Sequence, residues 1–367
     1  MKKVCIFGFP RMENFHGYSI DSLDPAPYFP SVDRQTLFQK LSEAKSLDQM
    51  YRDRDPAYMR FLSDFVDKFR DADLLVAYIY NPIHPNVLSK ELSKPIKVLG
   101  FIDDPFSTYV RGVPYLWVFD GAFHISPSYS DQYLFKDALA RWGCEQSCWW
   151  PLVIPRLDGH SEGNIWPLVP PRAEAQRRGD AFFRERDMDL IYVGAPYSSK
   201  MDRLARLRKR FGPRMRIHGR WPHAGYVGML RGLRGKAAMW GRITAISDEE
   251  RTRLYYRTKI GVNMHLSDRP AETGNMRMYE VPAHGMMLLC DKAGMNAHER
   301  IFAPDKEAVY YDSTDDAIAK IEYYLKHDEE REGIARAGFA RAHRDYDGET
   351  NMQRFLDWAM RIPRKSP

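Results

Sequence analysis

Two glutamates, a glycine and an arginine stand between two apolar runs of the segment 259–291. Seven residues separate Glu272 from Glu280, Gly274 follows the first glutamate closely, and Arg277 precedes the second by three positions. A carboxylate can accept hydrogen bonds from a pair of hydroxyl groups. Arginine side chains and the N–H groups at a helix start stabilise phosphate charge. The spacing therefore indicates a site for a ligand that carries hydroxyl groups and phosphates.

The surrounding pattern predicts the elements that would hold this site. Residues 260–264 and 286–290 are apolar runs, and the stretch through Arg277 and Glu280 is helical in character, so the order is strand, loop, helix, strand. Gly274 would let the backbone approach a ligand closely. The alternative is that Glu272 and Glu280 form surface salt bridges with Arg269 or Arg277.

Length and composition are those of an ordinary globular protein. The chain has 367 residues, which is enough for two domains. No apolar run approaches the roughly 18 residues that span a bilayer. Its four scattered cysteines favour reduced thiols and a cytoplasmic location over a zinc site. We therefore expect no metal and no transmembrane segment.

Positive charge is concentrated between Lys200 and Arg220. That stretch holds nine lysines and arginines against one acid, Asp202. Such a cluster favours an anionic partner, such as phosphates, nucleic acid or lipid head groups. The alternative is a solvated helix face. Recognition of single-stranded nucleic acid would need more interleaved aromatic residues than Phe211 and Trp221.

Alternating strands and helices predict a parallel α/β layer in the first half of the chain. There is no G-x-G-x-x-G motif after the first strand, and the following residues, which include Arg11 and His16, are predicted to be a loop. The predicted strands are 3–7, 72–80, 96–102, 116–119, 122–125 and 149–154, and the predicted helices are 34–44, 56–70, 85–92 and 130–142.

The alternation starts again in the second half, after a stretch rich in Pro, Gly, Arg and acidic residues. We predict an N-terminal domain 1–165, a linker 166–186, a second α/β domain 187–348 and a C-terminal helix 349–367 that packs back on the first domain. The further predicted strands are 189–194, 215–219 and 307–312, and the further helices are 201–211, 248–257, 314–327, 329–343 and 349–360.

The second half resembles the GT-B glycosyltransferases, and most closely the CgeB-like (spore-maturation) branch of the group-1 family. The resemblance is carried by LIYVGAPY, KIGVNMH and GNMRMYEVPAHGMMLLCD, and by the turn Asp103-Asp104-Pro105 in the first half. It implies a GT-B fold, with two Rossmann-like α/β domains and a cleft between them. It also implies transfer of a sugar from a nucleotide-diphosphate donor, expected to be a UDP-sugar, by a metal-independent and retaining reaction without a cofactor.

The resemblance also implies roles for single residues. Glu280 matches the glutamate that binds the donor ribose, Glu272 the first glutamate of the E-x7-E pattern, and Lys200 the basic residue at the diphosphate. The complete set of expected donor-binding residues is Gly194, Lys200, His218, Arg220, Gly274, Asn275, Met276, Arg277 and Glu280.

A base from the first domain would be needed if the reaction inverts the sugar. The candidates are Asp103, Asp104 and His16, because α/β sheets place ligands at the ends of their strands. A turn cap is the alternative for the two aspartates. Two other functions remain open: a nucleotide-sugar 2-epimerase or hydrolase of the same fold, and a nucleic-acid-modifying glycosyltransferase. The acceptor is not identified.

Overall fold

The computed structural model describes residues 1–7, 12–78, 82–101, 109, 112–128, 133–151, 171–194, 198–219, 245–265, 274–292 and 297–365. The chain divides into two compact units. One comprises Met1–Tyr129, Tyr133–Trp150 and Met352–Pro367, and the other comprises Ser130–Gln132 and Pro151–Asn351. No helix in these described ranges is long and apolar enough to cross a membrane.

The described strands of the first unit form one sheet. They are β1 (Lys2–Ile6), β2 (Met12–Phe15), β3 (Tyr18–Asp21), β4 (Leu74–Tyr78), β5 (Ile96–Phe101), β6 (Gly121–His124) and β7 (Ser147–Trp149). Their order is β2-β3-β1-β4-β5-β6-β7. All neighbours are parallel except β2 and β3. Strands β2 and β3 lie on one side of β1, and β4 to β7 lie on its other side, so the strand order reverses between β1 and β4.

Helices cover this sheet with apolar faces. They are α1 (Arg34–Ser42), α2 (Ala44–Arg52), α3 (Pro56–Phe69), α4 (Pro85–Lys90) and α5 (Phe135–Arg141). The aromatic stripe of α3 is buried, as its helical spacing predicts, and Phe65 stacks on Phe7 with 5.1 Å between ring centroids. Asp55 caps the helix by accepting hydrogen bonds from two backbone N–H groups.

Three predictions for the first unit are wrong. The expected loop after the first strand contains a hairpin of β2 and β3, whose turn residues His16 and Gly17 both have positive φ, at 43° and 89°. That combination fits the right-handed twist of a two-residue hairpin. Helix α2 was not expected, and Val113–Val118 is a 3-10 helix where 116–119 was predicted to be a strand.

The described strands of the second unit are all parallel. They are β8 (Met188–Val193), β9 (Met215–His218), β10 (Thr258–Asn263), β11 (Met287–Asp291) and β12 (Val309–Tyr311), in the order β12-β11-β10-β8-β9. The order reverses between β8 and β10. The helices are α6 (Pro171–Arg178), α7 (Ala181–Arg184), α8 (Ser198–Phe211), α9 (Asp248–Arg257), α10 (Met276–Ala283), α11 (Thr314–Tyr324) and α12 (Asp328–Asp345).

Part of the predicted linker 166–186 is folded structure. Helices α6 and α7 occupy 171–178 and 181–184, and the side chain of Arg186 is buried. Its guanidinium donates to the carbonyl oxygens of Phe182, Tyr255, Thr258 and His284, at 3.1, 2.9, 2.7 and 2.8 Å. The polar composition of this stretch predicted a linker. Composition alone does not reveal that a charged side chain such as Arg186 finds its hydrogen-bonding partners inside the fold.

The last helix, α13 (Gly348–Ala359), ends in the first unit. There Phe355 stacks on Trp150 with 4.1 Å between ring centroids, and Tyr18 Oη donates to Asp357 at 3.1 Å. Beyond the helix, the backbone N–H of Lys365 donates to Asp120 at 2.9 Å. These contacts join the end of the chain to the first sheet.

Candidate functional site

The β10–α10–β11 crossover is the framework of the candidate site. Its two strands pair in parallel, with Ile260 opposite Met287, so the predicted order of strand, helix and strand is confirmed, while most of the predicted loop lies outside the described residues. A Cβ at Gly261 would lie 2.6 Å from the methyl groups of Val281, so only glycine lets the helix pack this closely on the strand. The crossover places the start of α10 at the carboxyl edge of the sheet.

The first turn of α10 is held by its capping residue. Asn275 Oδ1 accepts from the N–H of Met278 at 3.4 Å, and Asn275 Nδ2 donates to the carbonyl of Met264 at 3.3 Å. Gly274 precedes the cap with a φ of +82°, a conformation that favours glycine. The helix therefore begins beside the end of β10, where N–H groups of its first turn can bind an anion.

Arg277 connects the two strands at which the strand order reverses. Its Nε donates to the carbonyl of Val193 at 2.6 Å, and its Nη1 donates to Asn263 Oδ1 at 2.8 Å. The guanidinium lies over the ring of Tyr192, 4.4 Å from its centroid. A side chain at Gly194 would overlap it. Ligands of open α/β sheets bind in the crevice at such a reversal.

Glu280 is a buried carboxylate whose polar contacts are incomplete. The residue is only 7% exposed, and its carboxylate has no hydrogen bond or ion pair within the described ranges. Burial raises the pKa of Glu280, and the charges of Arg251 and Arg277 only partly offset this rise. A buried carboxylate without hydrogen bonds is costly, and two incoming hydroxyl groups would satisfy it.

Four other predicted donor-binding residues lie at the same sheet edge. Gly194 directly follows β8, and its N–H donates to the carbonyl of His218, the last residue of β9, at 2.9 Å. Lys200 lies in the first turn of α8 and is 4% exposed. Met276 is the first residue of α10. The structure thus brings Gly194, Lys200, His218, Gly274, Asn275, Met276 and Arg277 to the carboxyl edge of one sheet.

Four predicted residues, Glu272, Asp103, Asp104 and Arg220, lie outside the described residues. His16 is described, but the prediction that it lies at a ligand-binding strand end is wrong. It lies in the β2–β3 turn, next to Gly17, whose carbonyl accepts from the N–H of Lys2 at 3.1 Å. Because Lys2 begins β1, His16 is at the amino edge of the parallel strands, whereas ligands bind at the carboxyl edge.

A charged network under the carboxyl edge was missed by the sequence-based reasoning. His265 Nδ1 lies 2.7 Å from Asp291 Oδ1, and Arg203 Nη1 donates to Asp291 Oδ2 at 2.8 Å. Burial lowers the pKa of His265, but the adjacent Asp291 carboxylate outweighs this effect and raises the pKa above its ordinary value. The signal was available, because His265 and Asp291 directly end two apolar runs.

The same residues include donor atoms of the kinds that bind metal ions. Ligand atoms of His265, Cys290 and Asp291 lie within 4.8 Å of one another. The Asp291 carboxylate, however, already binds Arg203 and also accepts from the backbone N–H of His265 at 3.1 Å. A divalent cation would meet the Arg203 guanidinium there, so this donor set fits an ion-pair network and does not fit a metal.

In the first unit, His124 ends β6 at the carboxyl edge and was also missed. Its Nδ1 lies 2.6 Å from the carbonyl of Ser126, and its ring stacks on Phe135 with 4.8 Å between centroids. Burial lowers its pKa to about 4, so the ring is neutral at pH 7. It pairs across the sheet with Phe101, two residues before Asp103.

The basic stretch 200–220 is largely engaged inside the unit. Arg203 binds Asp291, and ion pairs also join Arg206 to Asp315, Arg210 to Glu322 and Arg214 to Asp189. Arg208 donates to the carbonyl of Met215. These contacts support the interpretation as a helix face and weaken the prediction of a surface for a large anionic partner.

Comparisons with known proteins agree with the α/β fold of the two units. The family described as glycosyl transferase-like matches residues 200–357. A search of curated protein sequences gives no match.

Solved structures of similar fold cover most of the chain. HepE of Anabaena, in complex with UDP and glucose, is 13% identical and aligns with a TM-score of 0.54 over 81% of this chain and 80% of its own. Sucrose-phosphate synthase from Thermosynechococcus elongatus is 14% identical, with a TM-score of 0.58 over 97% and 86%. An α-glucosyltransferase in complex with UDP-glucose and abasic DNA is 12% identical, with a TM-score of 0.51 over 82% and 83%.

The predicted fold is confirmed by these likenesses and by the two described sheets. Residues 200–357 carry the sequence pattern of the glycosyl transferase-like family, in a chain that has the GT-B fold.

Proposed function

We propose that this protein is a glycosyltransferase that moves a hexosyl or pentosyl group from a nucleotide-diphosphate donor to an acceptor. The family match over residues 200–357 supports the reaction class. The structures of HepE with UDP and with UDP-glucose support a UDP-sugar as the donor. The proposal includes membership of the CgeB-like branch. It also includes a cytoplasmic location, which the four free cysteines favour.

The observation that carries the proposal is the unmatched carboxylate of Glu280 on the helix that starts at the strand reversal. A ribose offers two neighbouring hydroxyl groups, which can donate to the two oxygens of Glu280. A buried charge without hydrogen bonds destabilises the fold. A glutamate with a purely structural role would therefore not be expected at this position. A ligand that replaces the missing hydrogen bonds explains it.

The remaining residues of the site fit the leaving group. Cleavage of the glycosyl–phosphate bond leaves negative charge on the diphosphate, and fixed donors that face this charge lower the barrier. We assign this role to the start of α10 at Gly274–Met276 and to Lys200 in the first turn of α8. A retaining, metal-independent reaction with Glu272 facing the sugar remains part of the proposal.

Titration calorimetry with UDP and GDP tests the donor class. We expect UDP to bind and GDP to bind more weakly. Absence of binding for both nucleotides would overturn the proposal. Incubation with a UDP-sugar alone separates the nearest alternative, because an epimerase or hydrolase forms a new sugar product without an acceptor, whereas a transferase needs one.

The role of Glu280 is tested by Glu280→Ala. We expect UDP affinity to fall by about tenfold or more, the equivalent of a hydrogen bond to a charged group. Glu174→Ala is a matched control, because Glu174 is similarly buried at 8% exposure but pairs with Arg177. Unchanged UDP affinity in a folded Glu280→Ala protein would refute this assignment.

A further inference from the structure

The His265–Asp291 pair is the centre of a polar network that reaches several elements of the second unit. Asn263 connects the network to Arg277 by its Oδ1 and to the Cys290 sulfur by its Nδ2, at 2.8 and 3.2 Å. The backbone carbonyl of Asn263 accepts from Tyr311 Oη at 3.0 Å. The carboxyl ends of β10, β11 and β12 are thereby tied together.

Arg203 extends the network to α8. Its Nη1 donates to Asp291 Oδ2 at 2.8 Å, and its Nη2 donates to the carbonyl of His265 at 3.3 Å. One guanidinium therefore binds both members of the pair. Arg203 follows Lys200 by three positions, which is about one helical turn. Any shift of Arg203 along the helix axis would carry Lys200 with it.

We propose that His265 and Asp291 are positioning residues that fix the start of α8, and with it Lys200, for the β-phosphate of a nucleoside diphosphate. The inference rests on the proposed donor site, and it adds how this site distinguishes a diphosphate from a monophosphate. Neither residue contacts the ligand in this scheme. They act through Arg203, whose two hydrogen bonds orient the helix.

The charges that face this pair are consistent with an anionic ligand nearby. His265 and Arg203 both bind the single carboxylate of Asp291, whose pKa they hold below its usual value despite burial. Burial keeps the neighbouring Cys290 and Tyr311 neutral, because it raises the pKa of both. The network around Asp291 therefore has more positive than negative charge below the pKa of His265.

The experiment compares UDP with UMP by titration calorimetry in the full chain. The variants are His265→Gln and a control, His343→Gln, which alters a buried histidine whose Nε2 lies 2.9 Å from the carbonyl of Ala283. We expect His265→Gln to weaken UDP binding about tenfold while UMP affinity stays nearly constant, since only UDP has a β-phosphate. The control should leave the UDP-to-UMP affinity ratio unchanged.

A second variant keeps the test decisive if His265→Gln does not fold. Arg203→Lys preserves the positive charge but cannot form both hydrogen bonds of the guanidinium, so it should lower the UDP-to-UMP affinity ratio. An unchanged ratio in folded His265→Gln or Arg203→Lys would overturn the inference while leaving the donor site intact. Failure of the unaltered protein to bind either UDP or GDP would overturn both.

Discussion

Two arginines, one at each edge of the second sheet, make similar contacts in different surroundings. Arg186 lies near the amino ends of the strands and bonds the carbonyls of Tyr255, Thr258 and His284. Arg277 lies at the carboxyl ends and bonds Val193 and Asn263. Each guanidinium packs over an aromatic ring, and each would be overlapped by a side chain at a nearby glycine, Gly285 or Gly194 respectively.

The two edges differ in what they leave unsatisfied. Arg186 is 5% exposed, and its hydrogen bonds all go to main-chain oxygens of its own unit. Arg277 lies on the same helix as Glu280, a buried carboxylate without a hydrogen-bonding partner among the described residues. The hydrogen bonds of Arg186 thus all end on the protein's own backbone, whereas α10 carries, beside Arg277, a buried carboxylate that accepts no hydrogen bond from the described residues. Under the proposed function, this contrast distinguishes a purely stabilising arginine from one beside the donor site.

The largest expected effect is on stability, at Arg186. Arg186→Met removes the donors of several buried carbonyls, and each unsatisfied group costs about 1–3 kcal/mol, so the free energy of unfolding should fall by about 4 kcal/mol. Urea denaturation measures this. Arg184→Met is the control, because its side chain is 69% exposed and its ion pair with Glu332 is long, at 3.7 Å. Equal losses in both variants would contradict the comparison.

The next effect separates the two glycines. Gly285 has a φ of +73°, and an added Cβ would overlap the ring of Phe182, so Gly285→Ala should cost about 3 kcal/mol of stability. An added Cβ at Gly194 meets the flexible end of Arg277, so Gly194→Ala should cost less stability but weaken UDP binding. Thermal unfolding and UDP titration of both variants measure the difference. A larger loss of stability in Gly194→Ala than in Gly285→Ala would contradict this distinction.

Apolar periodicity was sufficient to predict most of the fold and the carboxyl edge of the second sheet. The runs 260–264 and 286–290 predicted β10 and β11 within a few residues, because strands buried on both faces are continuously apolar. Short amphipathic strands such as β2 and β3 gave no such run, and their hairpin was missed.

The site was predicted less completely, because partner choice is a property of the tertiary structure. Sequence placed Arg277 next to Glu280 but could not show that Arg277 binds Val193, 84 positions away. Arg186 and His265 gave the opposite error. A polar residue in a polar stretch and a lone histidine were given no role, although the fold surrounds both with partners. Burial of a charge becomes informative only when its partners are known.

A smaller stability effect, with a clear functional one, is expected at Arg277. Arg277→Lys keeps the positive charge but cannot bond Val193 and Asn263 together, because it lacks the planar guanidinium. Stability should fall by about 1 kcal/mol, and UDP affinity should fall about tenfold. Calorimetry and urea denaturation of the same preparation measure both. A loss of stability as large as that of Arg186→Met, with UDP affinity retained, would assign Arg277 to the scaffold.

The last effect on stability has the opposite sign and concerns Glu280. Burial raises its pKa in the folded protein, so the carboxyl group stabilises the fold at low pH, and this contribution is lost as pH rises from the ordinary value of 4.5 through the raised value. Glu280→Gln removes the buried charge at pH 7. The ligand-free variant should therefore be more stable than the unaltered protein by about 1 kcal/mol, with a flatter pH dependence, while it binds UDP more weakly.

Urea denaturation at several pH values, with and without UDP, tests this opposition. The ligand should reverse the order of stability, because UDP supplies the partners of Glu280 only in the unaltered protein. If Glu280→Gln is less stable at neutral pH without ligand, the carboxylate already has its partners within the fold. The polar groups at the carboxyl edge would then find their hydrogen bonds within the protein, as Arg186 does at the amino edge. The contrast between Arg186 and Arg277 would no longer point to a ligand.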